Sequence, residues 1–211
     1  MKNHLKSYFP LLLLLVFSYF FVLMIKIALQ YFPFKTDVAF LQIKQTEVTE
    51  IPLYILFFYI HVCSSIFVLL AGFTQFNSSI LKKYPILHQR IGKLYVFTVL
   101  FLSAPSGLFI GIFANGGLFS KISFVTLALL WFYFTLKGFT SIKKRDLHSH
   151  NTFMYRSFAL SFSAITLRFW KVVIVTLFHP PPMDVYQFIA WLGWIPNLLI
   201  IEYYLYNQSK K

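Results

Sequence analysis

Four side chains that could do chemistry lie within or beside the apolar stretches of this chain. His61 and Arg168 lie inside such stretches, and His88 and His150 lie just before two others. A neutral imidazole can ligate iron or another metal or relay a proton, and it can also simply hydrogen-bond to a neighbouring helix. A guanidinium keeps its charge, so inside a membrane it must hold an anion or reach backbone carbonyls and water. These four residues are the candidate site residues.

The apolar stretches that position these residues are long enough to cross a membrane. Of the 211 residues, 58% are hydrophobic and 12% are charged, whereas roughly 25% are charged in a soluble domain. About 20 apolar residues span a hydrocarbon core of about 30 Å. The predicted spans lie near 11–30, 51–76, 94–117, 122–141, 155–178 and 185–205. The sequence therefore predicts an all-α polytopic membrane protein, with residues 1–211 forming one membrane domain of about six transmembrane helices.

The basic residues predict the orientation of these spans. In a six-span topology most of them fall on one side, at Lys2, Lys6, Lys82, Lys83, Arg90, Lys93, Lys137, Lys143, Lys144, Arg145, Arg156, Lys210 and Lys211. Because Lys and Arg near span ends are retained in the cytoplasm, both the N-terminus and the C-terminus are predicted to be cytoplasmic. The net charge of +13 is then explained by topology and by contacts with the lipid bilayer, including anionic lipids at the cytoplasmic face, and not by nucleic-acid binding.

The depths of the two intramembrane residues are similar. His61 lies about ten residues into the second span, or about 15 Å from its boundary, and Ser65 follows one turn later on the same face. Arg168 lies about 13 residues into the fifth span, or about 20 Å from the cytoplasmic boundary. The two side chains could line one cavity if the second and fifth helices are neighbours.

His88 and His150 precede two spans that enter the membrane from the same side. Pairs of histidines on neighbouring helices hold the iron of haem b in membrane cytochromes, with neutral imidazoles as axial ligands. A histidine beside basic residues in a loop can equally be solvated. Cys63 is the only cysteine, which excludes an intramolecular disulfide and a cysteine-based metal cage.

Acidic residues are too few to support hydrolysis. Glu202 is the only acid within the apolar spans, and no Ser, His and Asp trio forms a recognisable motif. Glu202 lies near the cytoplasmic end of the sixth span, where we expect it to neutralise a basic partner such as Arg156 or Arg90.

Glycine and proline mark the connections and one irregular helix. Asn115-Gly116-Gly117 and Pro180-Pro181-Pro182 predict turns at the outer face, and residues 31–50 form the longest outer loop. Pro105 and Gly107 lie within the third span, where they predict a kink and a close approach of another helix.

Three segments resemble the DUF2306 family of predicted bacterial membrane proteins. They are 88–95 (HQRIGKLY), 103–107 (SAPSG) and 150–168, which begins HNTFMYRSFAL and ends TLR. The chain departs from the family pattern at Gln89 and Phe153, neither of which removes a potential ligand. The resemblance extends from about His61 to Glu202 and implies a multi-pass protein of the bacterial inner membrane. It marks the same four residues but implies no activity.

A looser likeness connects the chain to the helical bundles of cytochrome b561 and ferric reductases. It concerns the fold only, and the fourth span lacks the histidine that b561 proteins carry there. Three functions stay open. The first is a haem-binding or redox protein, with His88 and His150 as axial ligands of haem b, His61 as a further ligand and Arg168 as an anion clamp. The second is a transporter or small-molecule binding protein that uses Arg168 and His61, and the third is a structural or accessory protein. The sequence does not decide whether the protein is an enzyme, and it identifies no protein partner.

Overall fold

The computed structural model describes residues 15–75, 81–181 and 184–210 in full, and residues 2–14, 78–80 and 182–183 by their backbone only. The regular structure of this described part is helical. Its α-helices are α1 Lys2–Leu29, α2 Gln45–Glu50, α3 Tyr54–Gln75, α4 Ser78–Lys83, α5 Pro85–Thr98, α6 Ala104–Ile112, α7 Gly117–Lys143, α8 Leu147–Ser161, α9 Ser163–Phe178, α10 Pro182–Leu192 and α11 Ile195–Ser209. A 3-10 helix covers Ala39–Lys44, and a π turn at Val99–Ser103 joins α5 to α6.

Five helical segments in this described part are long and apolar enough to cross a membrane. They are Tyr54–Gln75, Pro85–Ile112, Gly117–Lys143, Leu147–Phe178 and Asp184–Ser209. The shorter apolar segment Leu15–Leu29 lies in α1, whose backbone is helical from Lys2 onwards. The predicted class, an all-α polytopic membrane protein, is therefore confirmed.

Two of the spans begin earlier than the apolar stretches in the sequence. The third span begins at Pro85 and the fifth at Leu147, not at 94 and 155, because a helix continues through polar residues where nothing breaks it. Proline favours the first helical position, which Pro85 occupies. Asp146 caps the fifth span by accepting a hydrogen bond of 3.0 Å from the backbone N–H of Ser149. His88 and His150 consequently lie in the first turns of membrane helices and not in loops.

The two ends of the bundle differ in character. At the basic end, the short helix α4 with Tyr84 and the turn at residues 144–146 connect the membrane helices, and α11 ends. Most described Lys and Arg residues lie near this end. At the loop end, residues 31–53, 113–116 and 179–181 connect them. The turn at residues 115–117 is confirmed, since Gly116 has a φ of +90° and a Cβ there would lie 2.4 Å from Ser120 Oγ.

Residues 31–50 form a packed cap at the loop end, which we call the loop cap. Its side chains Tyr31 and Leu41 are buried together with Tyr54, Phe58 and Tyr59 of α3. The hydroxyl of Tyr59 donates to the carbonyls of Tyr31 and Lys35, at 2.9 and 2.7 Å. These contacts tie the loop cap to the second span.

Candidate functional site

The π turn at Val99–Ser103 creates the local structure of the candidate site. Pro105 has no backbone N–H, so the helix cannot continue its regular hydrogen bonding through this point. The hydroxyl of Ser106 also bonds to this turn, since its Oγ donates to the carbonyl of Leu102 at 2.5 Å and lies 3.2 Å from that of Ser103. The predicted irregularity near Pro105 is thus a widened helical turn that offers carbonyl oxygens to a neighbouring helix.

His61 of α3 packs against this turn. Its Nδ1 lies 3.0 Å from the carbonyl oxygen of Ser103, and because a carbonyl can only accept, Nδ1 carries the proton. Gly107 makes room for the ring, since a Cβ at this glycine would lie 2.8 Å from His61 Cε1. The other ring nitrogen, Nε2, is left as an acceptor, 3.4 Å from Ser65 Oγ.

Two further hydroxyls fix α3 to the π turn. Ser103 Oγ donates to Ser64 Oγ at 2.7 Å, and Ser64 Oγ lies 3.4 Å from the carbonyl oxygen of His61. Ser64 and Ser103 are both buried. The imidazole is therefore held on a rigid polar surface, which fixes its tautomer and its direction.

Arg168 of α9 lies in the membrane interior without a carboxylate partner in the described part of the chain, where the ion pairs are Lys44–Glu47 and Arg156–Glu202. Its Nη1 donates to the carbonyl of Ala164 one turn earlier in the same helix. A guanidinium has five N–H donors, so a single backbone carbonyl uses only part of its capacity.

The structure brings Arg168 and His61 into electrostatic range of each other. Their helices both pack against α1: Leu69 of α3 and Ile165 of α9 belong to one buried cluster with Phe20 and Met24 of α1. The similar depths expected from the sequence therefore correspond to one region, between α1, α3 and α9.

Tyr31 of the loop cap lies over this region. Burial raises the pKa of its phenol, whereas the hydrogen bond from the Phe40 N–H and the charge of Arg168 act in the opposite direction. Tyr31 is 3% exposed, so the loop cap covers the loop end of the region between α1, α3 and α9.

His88 and His150 form a second group, at the basic end. His150 Nδ1 lies 2.8 Å from the carbonyl oxygen of Gly138 on α7, and its Nε2 makes no hydrogen bond to the described residues. His88 Nδ1 is buried without a hydrogen-bond partner in the described part of the structure. The two imidazoles are close enough to interact electrostatically. The starts of α5 and α8 therefore lie at the same end of the bundle, and whether the two histidines share a ligand stays a prediction.

His61 does not join His88 and His150. It lies about 14 residues, or about 21 Å, from the end of α3 at Gln75 on the basic end. Among the described residues, no group of three or more His, Cys, Asp or Glu side chains could hold a metal ion. The four candidate residues therefore divide into two separate sites.

Sequence reasoning missed a buried hydroxyl cluster between α5, α7 and α8. Tyr95 Oη lies 2.9 Å from Ser157 Oγ and 2.8 Å from Ser161 Oγ, and Thr135 Oγ1 lies 2.7 Å from Ser157 Oγ. All four side chains are buried. The Ser, Thr and Tyr residues of the apolar spans are the feature of the sequence that could have indicated this cluster. They are a weak indication, because single Ser and Thr hydroxyls usually bond to the backbone of their own helix. Because the hydroxyls satisfy one another, this cluster locks helices together.

These features define the chain as a polytopic membrane protein with polar sites inside its helical bundle. A family model described as "Predicted membrane protein (DUF2306)" matches residues 58–205. The chain belongs to this family, which confirms the resemblance seen in its sequence. No curated protein and no solved structure matches the chain, so the likeness to cytochrome b561 bundles stays an expectation.

Proposed function

We propose that this protein binds a small anionic molecule in its membrane interior, at a site formed by Arg168 and His61. The observation that carries the proposal is the unpaired charge of Arg168. The cost of burying a cation is large unless an anion or hydrogen bonds compensate it. The described residues offer only the Ala164 carbonyl, so a bound anion is the group that would complete the site.

The two side chains favour an oxyanion that can also carry a proton. The planar guanidinium matches the oxygens of a carboxylate or a phosphate. His61 Nε2, with its proton on Nδ1, can accept a hydrogen bond from an acidic O–H. A carboxylate or phosphate in exchange with its protonated form would use both groups, and a proton could pass to the imidazole. Binding of this kind serves a receptor or a proton-coupled transporter.

The test is ligand-induced stabilisation of the purified protein in an uncharged detergent. We would use phosphate, lactate and succinate as probes and compare the wild type with Arg168→Gln. Lys171→Gln is the matched control, because it removes one positive charge a turn away, where Lys171 Nζ lies 5.8 Å from the Tyr186 ring centroid.

We expect at least one probe to raise the melting temperature of the wild type and of Lys171→Gln but not of Arg168→Gln. At a hundredfold excess over Kd the stabilisation amounts to about 2.7 kcal/mol, which a thermal scan resolves. An equal shift in Arg168→Gln, or no shift with any of the probes in folded protein, would contradict the proposal.

A second candidate function is haem binding at the basic end, with His88 and His150 as the axial ligands of haem b. The observation in its favour is the buried, unpartnered Nδ1 of His88 near an imidazole whose Nε2 makes no hydrogen bond to the described residues. The hydrogen bond from His150 Nδ1 to a backbone carbonyl is the arrangement typical of a metal-ligating histidine. Such a haem would supply one-electron transfer.

The visible spectrum tests this second candidate. After expression with a haem precursor, a b-type cytochrome would show a Soret band and α and β bands that sharpen on reduction with dithionite. The bands should disappear in His88→Ala and His150→Ala but persist in His148→Ala, the matched control, since His148 is an exposed histidine in the same helical turn. A colourless, folded wild-type protein would exclude haem.

A further inference from the structure

The corner between α4 and α5 forms a cavity at the basic end. Tyr84 leaves the helical conformation, with φ −134° and ψ 63°, and Pro85 restarts the helix as its first residue. The change of direction opens a cavity of about 350 Å³, which is lined by Lys83, Tyr84, Pro85, Ile86, Leu87 and Arg90. This cavity is distant from the region of Arg168 and His61, which lies towards the loop end.

The cavity combines exposed cations with exposed apolar side chains. Lys83 and Arg90 are both exposed, and so are Ile86 and Leu87, at 66% and 46%. Ile86 and Arg90 are four residues apart in α5, so they share one helix face. An apolar wall beside two cations at the start of a membrane span matches a molecule with an acyl chain and an anionic head.

No protein carboxylate competes for these cations. The sequence has no Asp or Glu between residues 51 and 145. The two acids near the basic end are engaged elsewhere: Asp146 caps α8 and Glu202 pairs with Arg156. Within the described residues Lys83 and Arg90 therefore have no ion-pair partner, and the cavity presents a net positive charge.

We propose that this cavity binds an anionic phospholipid, with the phosphate between Lys83 and Arg90 and an acyl chain along Ile86 and Leu87. Lipid is favoured over free phosphate because the cations border exposed apolar residues at the boundary of a span, where lipid headgroups are concentrated. Basic pockets beside membrane helices recognise anionic headgroups in this manner. This site is independent of the function proposed for Arg168.

The test is binding of phosphatidylglycerol to the delipidated full-length protein in an uncharged detergent, measured by native mass spectrometry. The double variant Lys83→Gln/Arg90→Gln is compared with Lys143→Gln/Lys144→Gln, which removes the same charge from exposed positions at the same end. From the contribution of a basic residue near an anionic surface, removal of two cations corresponds to a loss of affinity of about thirtyfold.

We expect this loss in the first double variant and less than a threefold loss in the second. Equal losses of affinity in the two double variants would show that the lipid is attracted to the basic end as a whole, and this would contradict a specific site at Lys83 and Arg90. Phosphatidylcholine binding as tight as phosphatidylglycerol, or displacement of the lipid by glycerol 3-phosphate at similar concentration, would overturn the assignment to an anionic lipid. If the double variant does not fold, the single variants Lys83→Gln and Arg90→Gln replace it in the test. Each is expected to lose about fivefold in affinity for phosphatidylglycerol.

Discussion

His61 Nδ1 donates a hydrogen bond to the carbonyl of Ser103, at 3.0 Å, across the contact between the second and third spans. A carbonyl oxygen has two lone pairs, so it can accept from a side chain as well as from the helix backbone. Here the acceptor is the last residue of the π turn before Pro105. A helical irregularity and a histidine on the facing helix thus form one structural unit, and it directs the acceptor nitrogen of the imidazole.

Gly107→Ala tests this unit. The added methyl would lie 2.8 Å from His61 Cε1, so the ring must leave its place or the helices must separate. We expect a loss of about 1–3 kcal/mol in the free energy of unfolding, as for other overpacked positions, and weaker binding of any ligand that needs His61. The measurement is thermal unfolding in detergent.

Gly111→Ala is the matched control for that substitution. It lies one turn later in the same helix, and its Cβ would meet Phe124 Cβ at 3.2 Å, a contact that small shifts relieve. Both substitutions gain helix propensity equally. If Gly107→Ala proved as stable as Gly111→Ala, the close packing of the imidazole would be refuted.

Arg168→Leu should raise the stability of the ligand-free protein. The substitution removes the desolvation cost of a cation that has only the Ala164 carbonyl as a partner, and the gain expected is about 1–3 kcal/mol. Membrane insertion should be unaffected and anion binding abolished. A structural arginine would give the opposite result, so a lower melting temperature for Arg168→Leu would favour the accessory role over the binding role.

The sequence predicted that apolar spans exist, because they follow from apolar length, but it did not predict where the third and fifth spans begin. Depth along two helices, however, does not determine whether the helices touch. That His61 and Arg168 approach each other depends on the cluster in which Leu69 and Ile165 are buried together with residues of α1. Apolar residues of this type occur on every face of every span, and they carry no pairing information.

The loop cap was the part least accessible from sequence. Lys44 lies in the predicted outer loop 31–50, where a lysine is expected to be solvated. In the structure, however, it is only 2% exposed. A 3-10 helix between Ala39 and Lys44 turns it inwards. Such a placement depends on an acceptor far along the chain, the carbonyl of Phe113, which no local pattern indicates.

Arg156 and Glu202 confirm the ion pair expected at the basic end. Arg156 Nε lies 2.5 Å from Glu202 Oε1, and Nη2 lies 2.7 Å from Oε2, so the pair is bidentate. The charge reversal Glu202→Lys should lower the amount of folded protein. Glu202→Gln should lower the free energy of unfolding by about 1 kcal/mol, because the carboxylate is partly exposed and its charge is screened by solvent.

Fluorescence-detected size-exclusion chromatography of the two Glu202 variants measures this effect. The control is Asp184→Lys, a charge reversal at an exposed acid of α10, which should leave the folded amount unchanged. The swapped pair Arg156→Glu/Glu202→Arg should recover part of the loss. Normal accumulation and detergent stability of Glu202→Lys would count against the pairing.

The ion pair of buried Lys44 and half-buried Glu47 should respond differently to single and double substitution. Lys44 Nζ lies 2.5 Å from Glu47 Oε1 and also donates to the carbonyl of Phe113. Glu47→Leu leaves a buried ammonium with the Phe113 carbonyl and the Phe40 ring as its partners, and a buried charge left without its counter-ion lowers the free energy of unfolding by about 3–5 kcal/mol. When both charges are removed, the desolvation cost disappears with them. The free energy of unfolding of Lys44→Met/Glu47→Leu should therefore lie within about 1 kcal/mol of that of the wild type. Unfolding in a denaturing detergent is measured for the wild type, Lys44→Met, Glu47→Leu and the double variant. If the double variant were as unstable as Glu47→Leu, the attraction between the two charges would itself stabilise the contact of the loop cap with the third span. The role of Glu47 would then not be limited to neutralising the buried ammonium.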